Sequence, residues 1–203
     1  ITGGSKGIGF GIAQVLLQKG VHVAITSRSF ESAQKAANQL SVFAADSAKV
    51  LALEADVRDY QQQQDAVKAT ESTLGSIDIV IANAGLGVFG SIEDITIEGW
   101  NHVIETNLTG VFYTLKSTLG SLKKTKGYYI TISSLAGTNF FAGGTAYNAS
   151  KFGVTGFTQA AMLDLRTHGI KVSTIMPGSV STYFNGNEPS QKDAWKIQQE
   201  DIG

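Results

Sequence analysis

The chain has 203 residues, with 16 Lys and Arg against 17 Asp and Glu, a size and balance that suit one domain and offer no cationic field for a nucleic acid. Hydrophobic residues make up 42% and charged residues only 16%, which argues against disorder and for heavily buried elements. Cysteine is absent, so disulfides, thiolate nucleophiles and sulfur-ligated metals are excluded, and a reducing, cytoplasmic setting is expected.

In chain order, short apolar runs with β-branched residues alternate with longer stretches of helical period. A strand stub at Ile1 and Thr2 leads into a glycine turn and a helix over 9–19; strands over 21–26, 50–53, 77–82, 128–133 and 172–176 alternate with helices over 31–40, 60–74, 97–122 and 145–167. Strict alternation of this kind predicts an α/β fold, a doubly wound parallel sheet covered by helices on both faces. The whole of 1–203 is expected to be one domain, and ligands are expected in the loops at the carboxyl ends of its strands. The final QQEDIG is expected to open a helix with Asp201 as its cap, and the chain reads as an excerpt truncated at both ends. No apolar run reaches the ~18 to 20 residues of a membrane span, and His22, His102 and His168 are too scattered for a zinc site, so neither membrane nor metal is expected.

Two clusters carry chemistry. The first is TGGSKGIG at 2–9, between strand stub and helix, where Gly3 and Gly7 can take positive φ or admit a pyrophosphate and Gly9 packs helix on strand. The spacing G-x-x-x-G-x-G differs from G-x-G-x-x-G, so a plain tight turn is the alternative. Gly3, Ser5 and Gly7 also spell the G-x-S-x-G elbow of serine hydrolases, but an elbow needs an earlier oxyanion loop, and almost nothing precedes Ser5. Arg28 lies 19 residues past Gly9 with no acid at the end of that strand, the place where a base would meet a 2′-phosphate; a solvated surface Arg is the alternative. The second cluster is Tyr147 and Lys151, one helical turn apart on one face. A tyrosine with a pKa near 10 needs a depression of about 3 units for acid–base work at neutral pH, and a cation ~4 Å away supplies energy of that order.

With these residues in view, the chain resembles the short-chain dehydrogenase/reductase family, and among its members the 3-oxoacyl carrier-protein reductases, nearly end to end. TGGSKGIG resembles the family's phosphate turn, with Gly3, Ser5, Lys6, Gly7, Ile8 and Gly9 as cofactor residues. Asp56 and Val57 are similar to its adenine-contacting pair, and Asn83, Ala84 and Gly85 to its NAG turn. Asn107, Ser134, Tyr147 and Lys151 match the catalytic tetrad in order, Ser134 lying thirteen residues before Tyr147. Pro177, Gly178, Val180 and Thr182 match the segment that meets the nicotinamide.

The resemblance implies a Rossmann-like fold and hydride transfer between a nicotinamide and a carbonyl or secondary alcohol. In that scheme Tyr147 is general acid or base, Lys151 lowers its pKa and holds ribose hydroxyls, Ser134 bonds the substrate oxygen, and Asn107 holds a water. A non-catalytic dinucleotide sensor of the same fold is the alternative. Lys6 with Arg28 implies NADP(H) over NAD(H). A carrier-bound acyl chain is one candidate among small-molecule substrates, and a homodimer or homotetramer through helices 97–122 and 145–167 is implied, with Gly153, Gly156, Ala160 and Ala161 allowing close approach. Phe89, Leu135, Phe140 and Phe141 are candidate pocket walls, and 181–200, with Tyr183, Phe184 and Trp195, is a candidate lid. The sequons at Asn107 and Asn148 fall inside the active-site segments and are read as coincidence.

Overall fold

A computed structural model of the protein describes residues 1–45 and 47–203. The chain divides into two compact units, Ile1–Ser76 with Ser179–Gly203, and Ile77–Gly178.

In the first unit, Ile1 to Gly4 run beside β1 (Val23–Ser27): Thr26 N–H donates to Ile1 O and Gly4 N–H to Thr26 O, each at 3.0 Å. The stub is therefore paired as a strand would be. β1 pairs in parallel with β2 (Val50–Glu54) in the register Val23↔Val50. The strand begins two residues later than the β-branched run because Val21 N–H turns back to the Leu16 carbonyl at 3.0 Å, closing the end of α1 (Gly7–Gln18). α2 (Phe30–Leu40) is capped by Ser29, whose hydroxyl accepts from Ser32 N–H, and α3 (Tyr60–Leu74) by Asp59, which accepts from Gln62 N–H. Ala13, Leu17, Ile25 and Leu40, all fully buried, form the core of this unit.

The tail of this unit is a loop tied at its neck. Ser181 N–H donates to Ile197 O at 2.9 Å and Ile197 N–H to Ser179 O at 3.1 Å, with short 3₁₀ turns at Phe184–Gly186 and Gln191–Asp193 between them. The chain end is a 3₁₀ turn, Gln199–Ile202, packed so closely on α1 that a Cβ at Gly11 would strike the Gln199 carbonyl. Asp201 is not its cap: Gln198 holds that position, and the Asp201 carboxylate reaches back to accept from Gln198 N–H at 2.8 Å.

The second unit has three parallel strands in the order β3 (Ile79–Ala82), β4 (Tyr128–Ile132), β5 (Lys171–Ile175), in registers Ile79↔Tyr128 and Tyr128↔Lys171. The segment expected as one helix over 97–122 is helical throughout but not uniform: α4 (Ile97–Ile104) passes through a π-helical turn, Glu105–Thr109, into α5 (Gly110–Thr125). One wide turn of this kind re-aims the side chains it carries, and π turns are frequent at functional sites; this one carries Asn107. α6 (Thr145–Leu165) lies against β4, where the hydroxyls of Thr158 and Thr131 meet at 2.9 Å. Tyr129, fully buried, donates its hydroxyl proton to the Val111 carbonyl at 2.7 Å and so pins α5 to β4.

Candidate active site

The glycine turn of the first unit is built as an open backbone cradle. Gly3 (φ +65°) and Gly7 (φ +60°) take left-handed conformations that other residues avoid. α1 starts at Gly7 with Lys6 in the cap position and no side-chain cap bond, so the sequence leaves the first-turn N–H groups to something other than a Ser or Asp side chain. Gly4 has a separate role: a Cβ there would lie 2.6 Å from Ile25 Cγ2, so its smallness lets the turn sit on β1. Thr182 lies beside Gly7, at 3.5 Å from where a Cβ would stand. A left-handed glycine pair and an uncapped helix start fit the phosphates of a dinucleotide.

Arg28 is exposed, directly after β1 and before the cap of α2. Ser5 Oγ donates to Ser27 Oγ at 3.4 Å. Asp56 is engaged locally. Arg58 grips its carboxylate through Nε, at 3.1 Å to both oxygens, and Nη2, at 2.6 Å, and these bonds hold the Asp56 pKa below its usual range. The Val57 carbonyl accepts from Gln63 Nε2 at 2.7 Å.

In the second unit, α6 presents Tyr147 and Lys151 on one face, with Lys151 Nζ 5.7 Å from the Tyr147 ring centroid. Lys151 is only 6% exposed, and its ammonium donates to the Ile132 carbonyl at the end of β4, at 2.9 Å. Burial lowers its pKa from 10.5 to about 8. Ser134, the second residue after β4, accepts from Ala136 N–H at 3.1 Å and bonds the Tyr147 hydroxyl. Burial raises the Tyr147 pKa above its usual 10, and the Ser134 bond works against the rise. This corrects the expectation that Lys151 depresses it: in the chain's own field desolvation of the phenol outweighs every favourable interaction.

Asn107 is 1% exposed and fully committed. Its Oδ1 accepts from Leu86 N–H at 2.9 Å, and its Nδ2 donates to the Leu86 carbonyl at 2.9 Å and to Ser150 Oγ at 3.1 Å. Ser150 in turn donates to the Tyr147 carbonyl at 2.8 Å. The side chain thus clamps the loop after β3 onto the helix turn that carries Tyr147. Gly85 abuts this clamp, since a Cβ there would lie 3.3 Å from Asn107 Oδ1. Leu135 N–H donates to the Pro177 carbonyl at 3.1 Å, and a Cβ at Gly178 would lie 3.3 Å from Leu135 Cδ1.

The short chain dehydrogenase family profile matches residues 1–193. The chain belongs to that family. The short-chain dehydrogenases are NAD(P)-dependent oxidoreductases acting on CH–OH and C=O groups, and the parallel strands with flanking helices seen in both units are their Rossmann-like α/β fold. The chain is 35% identical over 185 residues to the trans-4-hydroxycyclohexanecarboxylate dehydrogenase of Sinomonas cyclohexanicum, covering 90% of this chain and 71% of that one. It is also 35% identical over 187 residues to the glycine betaine reductase of Emericella nidulans, covering 92% of this chain but only 14% of that much longer protein. The alcohol dehydrogenase of the archaeon Thermococcus sibiricus, solved with 5-hydroxy-NADP, superposes with a TM-score of 0.92 at 30% identity, over 100% of this chain and 85% of its own.

Within this short-chain dehydrogenase the second unit brings Ser134, Tyr147 and Lys151 together, with Asn107 joined to Tyr147 through Ser150. Ser150 and Leu86 were missed by sequence reasoning; only the i, i+3 spacing from Tyr147 hints at Ser150, and nothing local marks Leu86. Of the candidate pocket residues, Phe89 and Phe141 lie against the Tyr147 ring and Leu135 beside Gly178, whereas Phe140 is 84% exposed. Asn107 and Asn148 are both buried, so neither sequon is open to modification in the folded chain. Among the described residues no cluster of His, Asp and Glu could hold a metal ion, and no helix is long and apolar enough to cross a membrane.

Proposed function

We propose that this short-chain dehydrogenase is an NADPH-preferring carbonyl reductase, or secondary-alcohol dehydrogenase in reverse, with Tyr147 as its general acid and base. The observation that carries the reading is the convergence of the Ser134 hydroxyl and the buried Lys151 ammonium on Tyr147. When bound, the nicotinamide supplies or accepts the hydride at the substrate carbon. Tyr147 holds the proton that the carbonyl oxygen takes up in reduction, and Ser134 offers a hydroxyl to that oxygen. Lys151, anchored on Ile132, keeps a positive charge beside the phenol below pH about 8 and has further protons for ribose hydroxyls. The Asn107 side chain acts here as a positioning clamp through its bonds to Leu86 and Ser150, and would also hold the water that links Lys151 to solvent.

Gly3, Ser5, Lys6, Gly7, Ile8 and Gly9 would hold the phosphates, Asp56 and Val57 the adenine, Asn83, Ala84 and Gly85 the adjoining ribose side, and Pro177, Gly178, Val180 and Thr182 the nicotinamide. Arg28 and Lys6 support NADP(H) over NAD(H), as does the NADP analogue bound to the archaeal alcohol dehydrogenase. We take 1–203 as one dinucleotide-binding and catalytic domain, with 181–200 as its substrate lid. The absence of cysteine supports a cytoplasmic enzyme.

For assembly as a homodimer or homotetramer, Phe112 on α5 and Phe152, Met162 and Leu163 on α6 are exposed, as are Gly156 and Ala160. Gly153, by contrast, faces Leu108, and Ala161 is buried. A monomer by light scattering of the full-length protein at micromolar concentration defeats that proposal. The function is tested by NADPH oxidation with a panel of carbonyl compounds, wild type against Tyr147→Phe: turnover that disappears in the variant while NADPH still binds supports it, and NADPH binding without turnover on any carbonyl identifies a sensor instead.

A further inference from the structure

Two phenylalanines outside the tetrad stand over the proposed acid. The Phe89 ring meets the Tyr147 ring edge-on at 5.5 Å, the Phe141 ring lies 6.5 Å from it, and the two phenylalanines are 6.0 Å apart. Phe89 follows β3 and Phe141 follows β4, so the pair sits on loops at the carboxyl ends of strands, where α/β sheets bind ligands. Each residue nevertheless leaves more than two-fifths of its surface uncovered, Phe89 at 41% and Phe141 at 46%.

The arrangement is held from behind. Gly90 N–H donates to the Gly143 carbonyl at 2.8 Å, and Gly90 and Gly144 form an isolated parallel bridge, which ties the Phe89 loop to the Phe141 loop. Asn148, one residue after Tyr147, donates through Nδ2 to the Phe141 carbonyl at 3.0 Å. The Phe141 ring lies on Gly144 so closely that a Cβ there would be 2.5 Å from its Cε2. These contacts hold both phenylalanine loops in fixed positions beside Tyr147. Fixed apolar faces beside a proton donor favour a substrate whose carbonyl carries an apolar ring, and they disfavour a polyhydroxylated one, whose hydroxyls would be desolvated against phenyl faces without partners.

We infer that Phe89 and Phe141 form a pre-built ring clamp that makes this enzyme selective for aryl and alicyclic ketones and the corresponding secondary alcohols. The inference rests on the carbonyl-reductase reading and adds its substrate class. The test compares acetophenone, cyclohexanone, acetone and dihydroxyacetone as NADPH oxidants, in wild type, Phe89→Ala, Phe141→Ala and Gly144→Ala. Wild type is expected to favour the two ring ketones over dihydroxyacetone by at least about tenfold in kcat/KM. Each phenylalanine variant lowers the ring-ketone to acetone ratio roughly tenfold through KM, with NADPH affinity within twofold. Gly144→Ala displaces the Phe141 ring without deleting it and lowers the same ratio, which separates ring position from any general loss of structure. Equal losses on acetone and the ring ketones, or losses confined to kcat, overturn the clamp. NADPH binding without oxidation on any of the four ketones defeats the carbonyl-reductase reading itself, a result distinct from either.

Discussion

Lys151→Met should leave the fold at least as stable at pH 7 and less stable at pH 10. The buried ammonium has its pKa lowered from 10.5 to about 8 by desolvation alone. Between those values the unfolded chain binds a proton that the folded chain does not, so wild-type stability from this group rises with pH across the window; below pH 8 both states are protonated and the full penalty stands. A shift of that size corresponds to ~3 kcal/mol at pH 7, most of which is relieved by pH 10. Methionine has similar length and no charge, but it leaves the Ile132 carbonyl without the donor it has at 2.9 Å, a loss of ~1 to 3 kcal/mol that does not depend on pH. The variant should therefore lead by ~1 kcal/mol at pH 7, draw level near pH ~9 and trail by ~1 kcal/mol at pH 10. Tyr147, the neighbouring phenol, is raised above 10 and stays largely neutral throughout. Urea unfolding of both proteins at pH 7, 8, 9 and 10, with equal m-values, measures the difference. A difference that stays constant with pH would show that the lysine is not desolvated as the structure has it.

Tyr147→Phe should lower kcat by more than tenfold, over ~1.4 kcal/mol of transition-state stabilisation, with NADPH affinity near wild type; retention of more than a tenth of kcat by steady-state assay refutes the acid assignment. The kcat/KM for NADPH should fall above pH about 8, where the free enzyme's Lys151 loses its charge, and a profile flat to pH 10 would contradict that value. Arg28→Ala should weaken NADPH about tenfold or more, the loss of a charge-assisted contact of ~1.5 to 3 kcal/mol, with little change for NADH; equal losses in the two dissociation constants would mean the side chain does not meet a 2′-phosphate. Gly4→Ala should destabilise by ~1 to 3 kcal/mol, because the added Cβ would stand 2.6 Å from Ile25 Cγ2, and unchanged thermal unfolding would show that β1 gives way there.

Strand–helix alternation and the glycine turn were legible because each is local: periodicity announces α2, α3 and α6, and Gly3 and Gly7 do take the positive φ their spacing suggests. Element ends were less so. The runs at 21–26 and 77–82 look like strands from their first residue, but the Val21 amide is drawn to Leu16 and the Ile77 carbonyl to the Thr125 hydroxyl. The π turn at Glu105–Thr109 leaves no trace in apolar spacing, since α4 and α5 on either side keep a helical period. The Asn107–Leu86 and Asn107–Ser150 bonds join residues 21 and 43 apart. The direction of the Tyr147 shift was missed for the same reason: proximity of Lys151 can be counted along a helix, whereas desolvation depends on what the rest of the unit packs around the phenol.

One turn of α6 therefore holds groups whose charged states are all costly to bury, and its neighbours explain why it stays in place. Lys151 is anchored at β4 through Ile132, Tyr147 is fixed through Ser134 and by its own carbonyl on Ser150, and Ser150 is fixed by Asn107, which grips Leu86. Every link is a hydrogen bond made by a wholly or partly buried group, and such networks are worth more in low dielectric than the same bonds in water. A solvated version of the dyad would avoid the penalty on Lys151 and would also screen its charge from the phenol; the desolvated one accepts ~3 kcal/mol of destabilisation and keeps that charge unscreened beside the group that must part with a proton. The raised phenol and the lowered ammonium are thus two consequences of one burial, and they move the proton affinities of the two partners apart from their nearly equal values in water, so that the lysine gives up its proton before the tyrosine does.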